Sequence, residues 1–127
     1  MNAADPQRQG KQGIEDSIQK HYEQTMKGGH NIGNPELVHY LTDHALESVH
    51  WLESIGVKFK DEVGTATGAL WQRSHYPATP SGNTYIRSFE KYIAAHGNDM
   101  KVYTDMDAVS LIQDKAGRVI GVIAKDN

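Results

Sequence analysis

The sequence contains no cysteine, which excludes disulfides, iron–sulfur ligation and thioether attachment of haem within the chain. No apolar run approaches the ~18 residues that a membrane-spanning helix needs, and there is no signal-peptide h-region. Nothing in the sequence therefore reads as a membrane segment or an export signal, and the expected compartment is the cytoplasm unless a leader precedes Met1. Charge of one sign is scarce as well: 13 basic against 16 acidic residues leave a net charge of −3, with no pull toward nucleic acid or anionic lipid. Hydrophobic residues make up only 38% of the 127 positions, low for a globular domain and suited to a segment that packs on a larger body. Glycine is present at 12 positions but never as Gly-x-Gly-x-x-Gly. The turn that holds a dinucleotide pyrophosphate at a helix N-terminus is thus missing from this chain.

At 127 residues the chain is one domain's worth, long enough to bury ~65% of its unfolded surface. Residues 5–13 are polar, with Pro6, Gly10 and Gly13, and read as an exposed loop. Ile14, Ile18, Tyr22 and Met26 repeat every four residues and predict a first helix. Gly28-Gly29 closes it through a left-handed cap. Asn34 is a natural N-cap, with Pro35 at the first helical position and Glu36 in the first turn. From there Leu37, Leu41, Ala45, Val49, Leu52 and Ile55 give one long second helix a buried face, ended by Gly56. Residues 57–81 lose all period, and a structureless stretch of that length is functional or disordered. Loop 61–82 is the segment expected to be least ordered, with Trp71 exposed. Thr84 caps a third helix with Ile86, Phe89 and Ile93 on its apolar face, closed by Gly97. A short strand is expected around Met100, Val102 and Tyr103. A hairpin follows, with Val109–Ile112 and Val119–Ile123 joined by a turn at Asp114-Lys115-Ala116-Gly117. The fold class is α/β: three helices, a C-terminal β-hairpin and short strands.

Seven histidines raise the question of a metal. His39, His44 and His50 are spaced by five and six, so no two share a helix face as a zinc pair requires, and solvated helix-face histidines are the better reading. No metal site is expected. His30 sits in a glycine-rich helix–helix turn, where an exposed imidazole is the plain expectation. The cluster Arg73-Ser74-His75 is more suggestive. An arginine, a hydroxyl and an imidazole in a non-periodic loop either face a carboxylate substrate or a cofactor edge, or merely fix the loop.

Five ordered blocks carry a family resemblance. They are Met1-Asn2-Ala3-Ala4, Gly13-Ile14-Glu15-Asp16, the run Thr25 to Ile32 with Asn34 to Val38, the run Ser48 to Val57, and Arg73-Ser74-His75-Tyr76-Pro77. Their order and spacing, from Met1 to about Asp126, resemble the FAD-dependent fumarate reductase and succinate dehydrogenase flavoprotein family, in particular its flavocytochrome c flavin subunit. The resemblance implies that the chain is an internal piece, a partial FAD-binding domain over residues 1–127 that lacks the N-terminal dinucleotide-binding βαβ unit and the capping domain. It implies that Met1, Asn2, Ala3 and Ala4 lie along FAD, that the backbone of Ala108 meets the adenine ring, and that Arg73, Ser74 and His75 border the substrate or flavin. Tyr76 stands where the family has a second arginine. The parent would reduce the C=C bond of a small unsaturated carboxylate, with the remainder of the flavoprotein and a small dicarboxylate or related acid as its partners. None of the family's catalytic residues maps onto this chain, so the piece alone is expected to be inert and to hold FAD weakly or not at all. The competing readings are a non-catalytic module that folds alone, and a relative acting on urocanate or another unsaturated acid.

Overall fold

The computed structural model describes residues 1–79 and 82–127. Pro80 and Ser81, which the sequence places in the non-periodic loop, lie outside the described residues. The chain divides into two units, Met1–Tyr92 and Ile93–Asn127. Its elements are α1 (Pro6–Lys11), α2 (Ile18–Gly28), α3 (Pro35–Asp43), α4 (Ala45–Ser54), β1 (Phe59–Gly64), β2 (Ser74–Pro77), α5 (Asn83–Ala95), β3 (Met106–Gln113) and β4 (Val119–Asp126). The mixture of helix and strand and the C-terminal hairpin match the sequence reading; the helices are more finely divided.

Residues 5–13, expected as a loop, hold α1. Asp5 is its N-cap, accepting the N–H groups of Gln7 and Arg8, and Pro6 follows at the first helical position. The second helix starts at Ile18, four residues later than Ile14 suggested, because the Ser17 side chain accepts the Lys20 N–H and sets the boundary there. At its end the glycines do not take the left-handed cap. Gly29 has φ −86, whereas His30 and Asn31 adopt φ 52 and 59, a conformation that Asn and His tolerate better than most residues. The Asn31 N–H closes the turn on the Met26 carbonyl at 2.8 Å.

The single long helix expected from Asn34 to Ile55 is two. Asn34 and Pro35 start α3 as the sequence predicts, and the ladder is interrupted at His44. Just before the break, the Thr42 hydroxyl donates to the carbonyls of Val38 and His39, both at 3.1 Å. Such back-bonding competes with the helical ladder and bends it. The bend divides the expected apolar face. Ala45, Val49 and Leu52 on α4 are buried, while Leu37 and Leu41 on α3 are 69% and 56% exposed. Gly56, with φ 100, ends α4 as expected.

Residues 57–79 are not structureless. β1 and β2 pair antiparallel from Phe59↔Pro77 to Gly64↔Ser74, with an irregularity between Phe59 and Val63. The Gln12 side chain acts as a further backbone at this edge, donating to the Val63 carbonyl (3.1 Å) and accepting its N–H (2.8 Å). The core of the unit collects Ala3, Ala45, Val49, Leu52, Val57 and Phe59, with Leu46, Ile55, Tyr85 and Phe89 packed against it. Thr84 lies inside α5 and donates its hydroxyl to the Thr79 carbonyl at 3.3 Å.

In the second unit, β3 and β4 pair antiparallel from Met106↔Asp126 to Gln113↔Val119. Asp114 builds the expected turn: its carboxylate accepts the N–H groups of Ala116 and Arg118, and Gly117 takes φ 79. No strand forms around Met100, Val102 and Tyr103; pairing begins at Met106, after Asp105 turns the chain at φ 58.

Candidate functional site

The first four residues and the Arg73–His75 cluster, far apart in sequence, form one structure. Met1 to Ala3 runs antiparallel to β2 as an outer strand. The Met1 nitrogen donates to the His75 carbonyl (3.2 Å), and the His75 N–H returns to the Met1 carbonyl (2.7 Å). Asn2 and Ser74 face each other as a bridge, with the Ser74 hydroxyl donating to Asn2 Oδ1 at 2.6 Å. The Ala3 N–H then donates to the Arg73 carbonyl at 3.1 Å. Ala3 is fully buried and Ala4 nearly so, whereas Met1 and Asn2 are exposed.

Arg73, Ser74 and His75 are all buried, and their side chains are turned into the protein. Arg73 reaches Asp16 as a fork, Nε to Oδ2 at 2.9 Å and Nη2 to Oδ1 at 2.7 Å. Gln9 adds a third bond to Asp16 (2.8 Å) and ties the pair to the Gln72 carbonyl (2.9 Å). Burial pushes the Asp16 carboxyl up, but the hydrogen bonds from Arg73, Gln9 and the Ser17 N–H outweigh it and hold it below its usual range.

His75 Nε2 lies 3.0 Å from Asp5 Oδ2. The same carboxylate caps α1 through Oδ1 (3.0 Å to both Gln7 and Arg8 N–H) and accepts Arg8 Nη1 at 2.9 Å. Arg8 also bonds the Glu53 carboxylate on α4. Burial raises the Asp5 carboxyl, yet the donors from the Arg8 N–H, His75 and the Arg8 guanidinium together bring it down to about 2. An ionised carboxylate only accepts, so His75 Nε2 carries the proton of this bond. Its Nδ1 is buried without a partner among the described residues, and Phe59 stands edge-on to the ring at 6.0 Å.

Two grooves open beside this outer strand. One, of 690 Å³, is lined by Met1 and Asn2, by His21 and Thr25 of α2, and by the exposed Leu37, Tyr40 and Leu41 of α3. A smaller one, of 170 Å³, adjoins Asn2, His21, Gln24, Trp71 and Arg73. His21 Nδ1 and Gln24 Oε1 are buried and lack partners among the described residues. Burial lowers the His21 pKa, the positive charge of Arg73 lowers it further, and Asp16 offsets part of that.

Ala108 belongs to the hairpin, where it pairs with Ala124. His39 stacks on Tyr22 with ring centres 3.7 Å apart, and His44 bonds Glu47 at 2.9 Å. Tyr76 packs over Gly64. Trp71, expected to be exposed, is partly buried: its Nε1 donates to the Glu15 carbonyl (3.2 Å) and Lys20 Nζ sits 3.0 Å from the ring centre. Asp5, Gln9, Asp16 and His21 were missed by the sequence reading. Only Asp5 carried a local signal, an N-cap residue directly before proline.

The chain matches the model of the FAD binding domain family over residues 1–127. It is similar to an NADH:acrylate oxidoreductase of Vibrio harveyi, 35% identical over an alignment 124 residues long that covers 91% of this chain and 12% of that protein. It is 33% identical over 125 residues to a fumarate reductase (cytochrome) of Shewanella frigidimarina, covering 98% of this chain and 22% of that protein. The solved structure of the open conformation of a flavocytochrome c3 fumarate reductase superposes with a TM-score of 0.79 at 26% identity, over 99% of this chain and 22% of that one. The chain therefore spans between about an eighth and about a fifth of the length of these relatives. Among the described residues no helix is long and apolar enough to cross a membrane. With the family model matching from its first residue to its last, the chain belongs to the FAD binding domain family.

Proposed function

We propose that this chain supplies the flavin-facing wall of an FAD-dependent reductase that reduces the C=C bond of a small unsaturated carboxylate. The substrate class is the one that the names of its acrylate and fumarate relatives share. The observation that carries the reading is the outer strand Met1–Ala3, held against β2 and presenting Met1 and Asn2 to a groove of 690 Å³. That volume lies within the ~300–1,000 Å³ of ordinary ligand sites, and the wall beyond it is apolar, from Leu37, Tyr40 and Leu41. Ala3 and Ala4 are buried behind this edge, and Asn2, whose Oδ1 is engaged by Ser74, keeps an amide N–H₂ group with two donors at the groove it lines.

These residues fit the flavin end of the cofactor. When bound, the flavin would supply hydride transfer. The residues of this chain hold and orient. Arg73 is committed to Asp16 and His75 to Asp5, so we assign them to building the wall rather than to contacting substrate. Proton delivery and carboxylate binding fall to the remainder of the longer protein, as does the pyrophosphate grip. The backbone of Ala108 keeps its proposed place beside the adenine.

The test is a titration of the 127-residue chain with FAD, followed by flavin fluorescence. Saturable binding weaker than ~1 μM, equivalent to ~8 kcal/mol, is expected, with loss of affinity in Asn2→Leu. Absence of saturable binding, or an affinity indifferent to Asn2, would overturn the assignment of this wall.

A further inference from the structure

The segment proposed to face the flavin carries little side-chain area of its own. Ala3 and Ala4 bring one methyl each, and the outer strand is only three residues long. Although Ala3 and Ala4 are buried, their side chains are so small and alike that burial alone discriminates poorly between registers of so short a strand. One residue grips it from both ends. The backbone of His75 exchanges two hydrogen bonds with Met1, at 3.2 and 2.7 Å, and its imidazole bonds Asp5 at 3.0 Å, just past Ala4. The Asp5 carboxylate is in turn fixed by the start of α1 and by Arg8, which is anchored on Glu53 of α4. The Met1–Ala4 span is thus stretched between two contacts of a single buried side chain and its own backbone.

We propose that His75 is a positioning residue for the cofactor wall, setting the register of Met1–Ala4 through its bond to Asp5. The inference rests on the reading above, that Met1–Ala4 faces the flavin. Two features of the imidazole separate cleanly. Its Nε2–H is the donor to Asp5, and its ring packs edge-on against Phe59. Register depends on the donor. Core stability depends on the ring.

The discriminating variants are therefore His75→Gln, which keeps an amide donor at similar reach and loses the ring, and His75→Phe, which keeps a ring and loses the donor. Amide exchange by NMR reads the two ladder bonds directly, at the N–H of Ala3 and of residue 75, with the Val49 N–H in α4 as the measure of global opening. In His75→Phe the two ladder amides are expected to exchange at least ~10-fold faster than in the natural chain, in line with loss of a bond to a charged acceptor. In His75→Gln they are expected to stay close to the natural rate relative to Val49. FAD affinity follows the same order, lost in the first variant and retained in the second. Equal behaviour of both variants at Ala3, or an unaltered His75→Phe, overturns the proposal. If His75→Phe does not fold, Asp5→Asn decides, since asparagine still caps α1 but turns one acceptor into a donor facing Nε2; an Ala3 N–H as protected as in the natural chain would then refute the idea. Should the natural chain take up no FAD while the exchange pattern holds, the flavin reading fails and the grip of His75 on the segment stands. Should the natural chain bind FAD and His75→Phe bind it equally, the positioning role fails alone.

Discussion

Removing the Arg73 guanidinium should cost stability, not merely function. Asp16 has no side-chain exposure and Arg73 only 4%, so Arg73→Ala leaves a carboxylate in the interior with part of its compensation gone. Breaking a buried pair from one side costs ~3–5 kcal/mol. The lower end applies here, because Gln9 still donates to Asp16 at 2.8 Å and the Ala3 N–H still finds the residue 73 carbonyl, which the substitution leaves in place. About 3 kcal/mol for a chain of this length corresponds to a fall in Tm of roughly 10 °C. The double variant Asp16→Asn/Arg73→Ala should recover part of the loss, since no uncompensated charge remains. Urea unfolding followed by circular dichroism of the natural chain, the single variants Arg73→Ala and Asp16→Asn, and the double variant closes the double-mutant cycle. A loss below ~1 kcal/mol for Arg73→Ala, with no coupling to Asp16, would show that the guanidinium is not committed to this pair. Arg73 would then return as a candidate contact to a substrate carboxylate.

Acid should unfold the chain through Asp5. Its carboxyl titrates at about 2 when folded against an ordinary 3.8, so the stabilisation is present above pH 4 and is lost as pH falls through about 2. The shift is worth about 2 kcal/mol, and Asp16 adds in the same direction; Asp5→Asn should flatten this limb of the stability curve, and an unchanged limb would refute it. Leu52→Ala in the core should cost ~2–5 kcal/mol, whereas Leu41→Ala on the exposed face of α3 should cost under ~0.5 kcal/mol; equal losses would show that α3 is covered after all. In a Trp51→Phe background, Lys20→Ala should raise acrylamide quenching of Trp71, because the ammonium over the ring is removed; unchanged quenching would mean that the indole is held by other contacts.

Local grammar was legible where one short stretch supplied all of it. Asn34-Pro35 announced α3, and Asp114 to Gly117 announced the hairpin turn. Asp5-Pro6 uses the same grammar as Asn34-Pro35, but α1 is six residues long, below the length at which a helix shows in a periodic pattern. Its glycine and polar residues masked it. The pairing of β1 with β2 was hidden for another reason: the irregularity between Phe59 and Val63 destroys the two-residue period. The partition of the second helix depended on a hydroxyl choosing backbone carbonyls, which no hydrophobic pattern records. The candidate site was legible only as separate pieces. Met1–Ala4 and Arg73–His75 were each marked by resemblance, yet their pairing is carried mainly by backbone bonds between residues seventy or more positions apart, and such bonds leave no side-chain signature. That Arg73 and Asp16 belong to one another shows only when the fold brings them within 2.7 Å.

The placing of polar bonds around so small a segment has a physical reason. Where a strand carries large apolar residues, burial fixes its register, because a slip of one position turns every side chain to the wrong face. Ala3 and Ala4 cannot supply that penalty, since their methyl groups are nearly interchangeable. Directional bonds supply it instead. A one-residue slip along β2 would set Ala3 opposite Ser74, with no side-chain oxygen to accept the hydroxyl that now reaches Asn2 Oδ1 at 2.6 Å. It would also carry Asp5 away from His75, leaving a buried imidazole N–H unsatisfied at a cost of ~1–3 kcal/mol. The fork between Arg73 and Asp16 fixes β2 itself, so the reference against which the outer strand is registered does not move. Directional bonds to buried charges thus hold so small a strand in a single register.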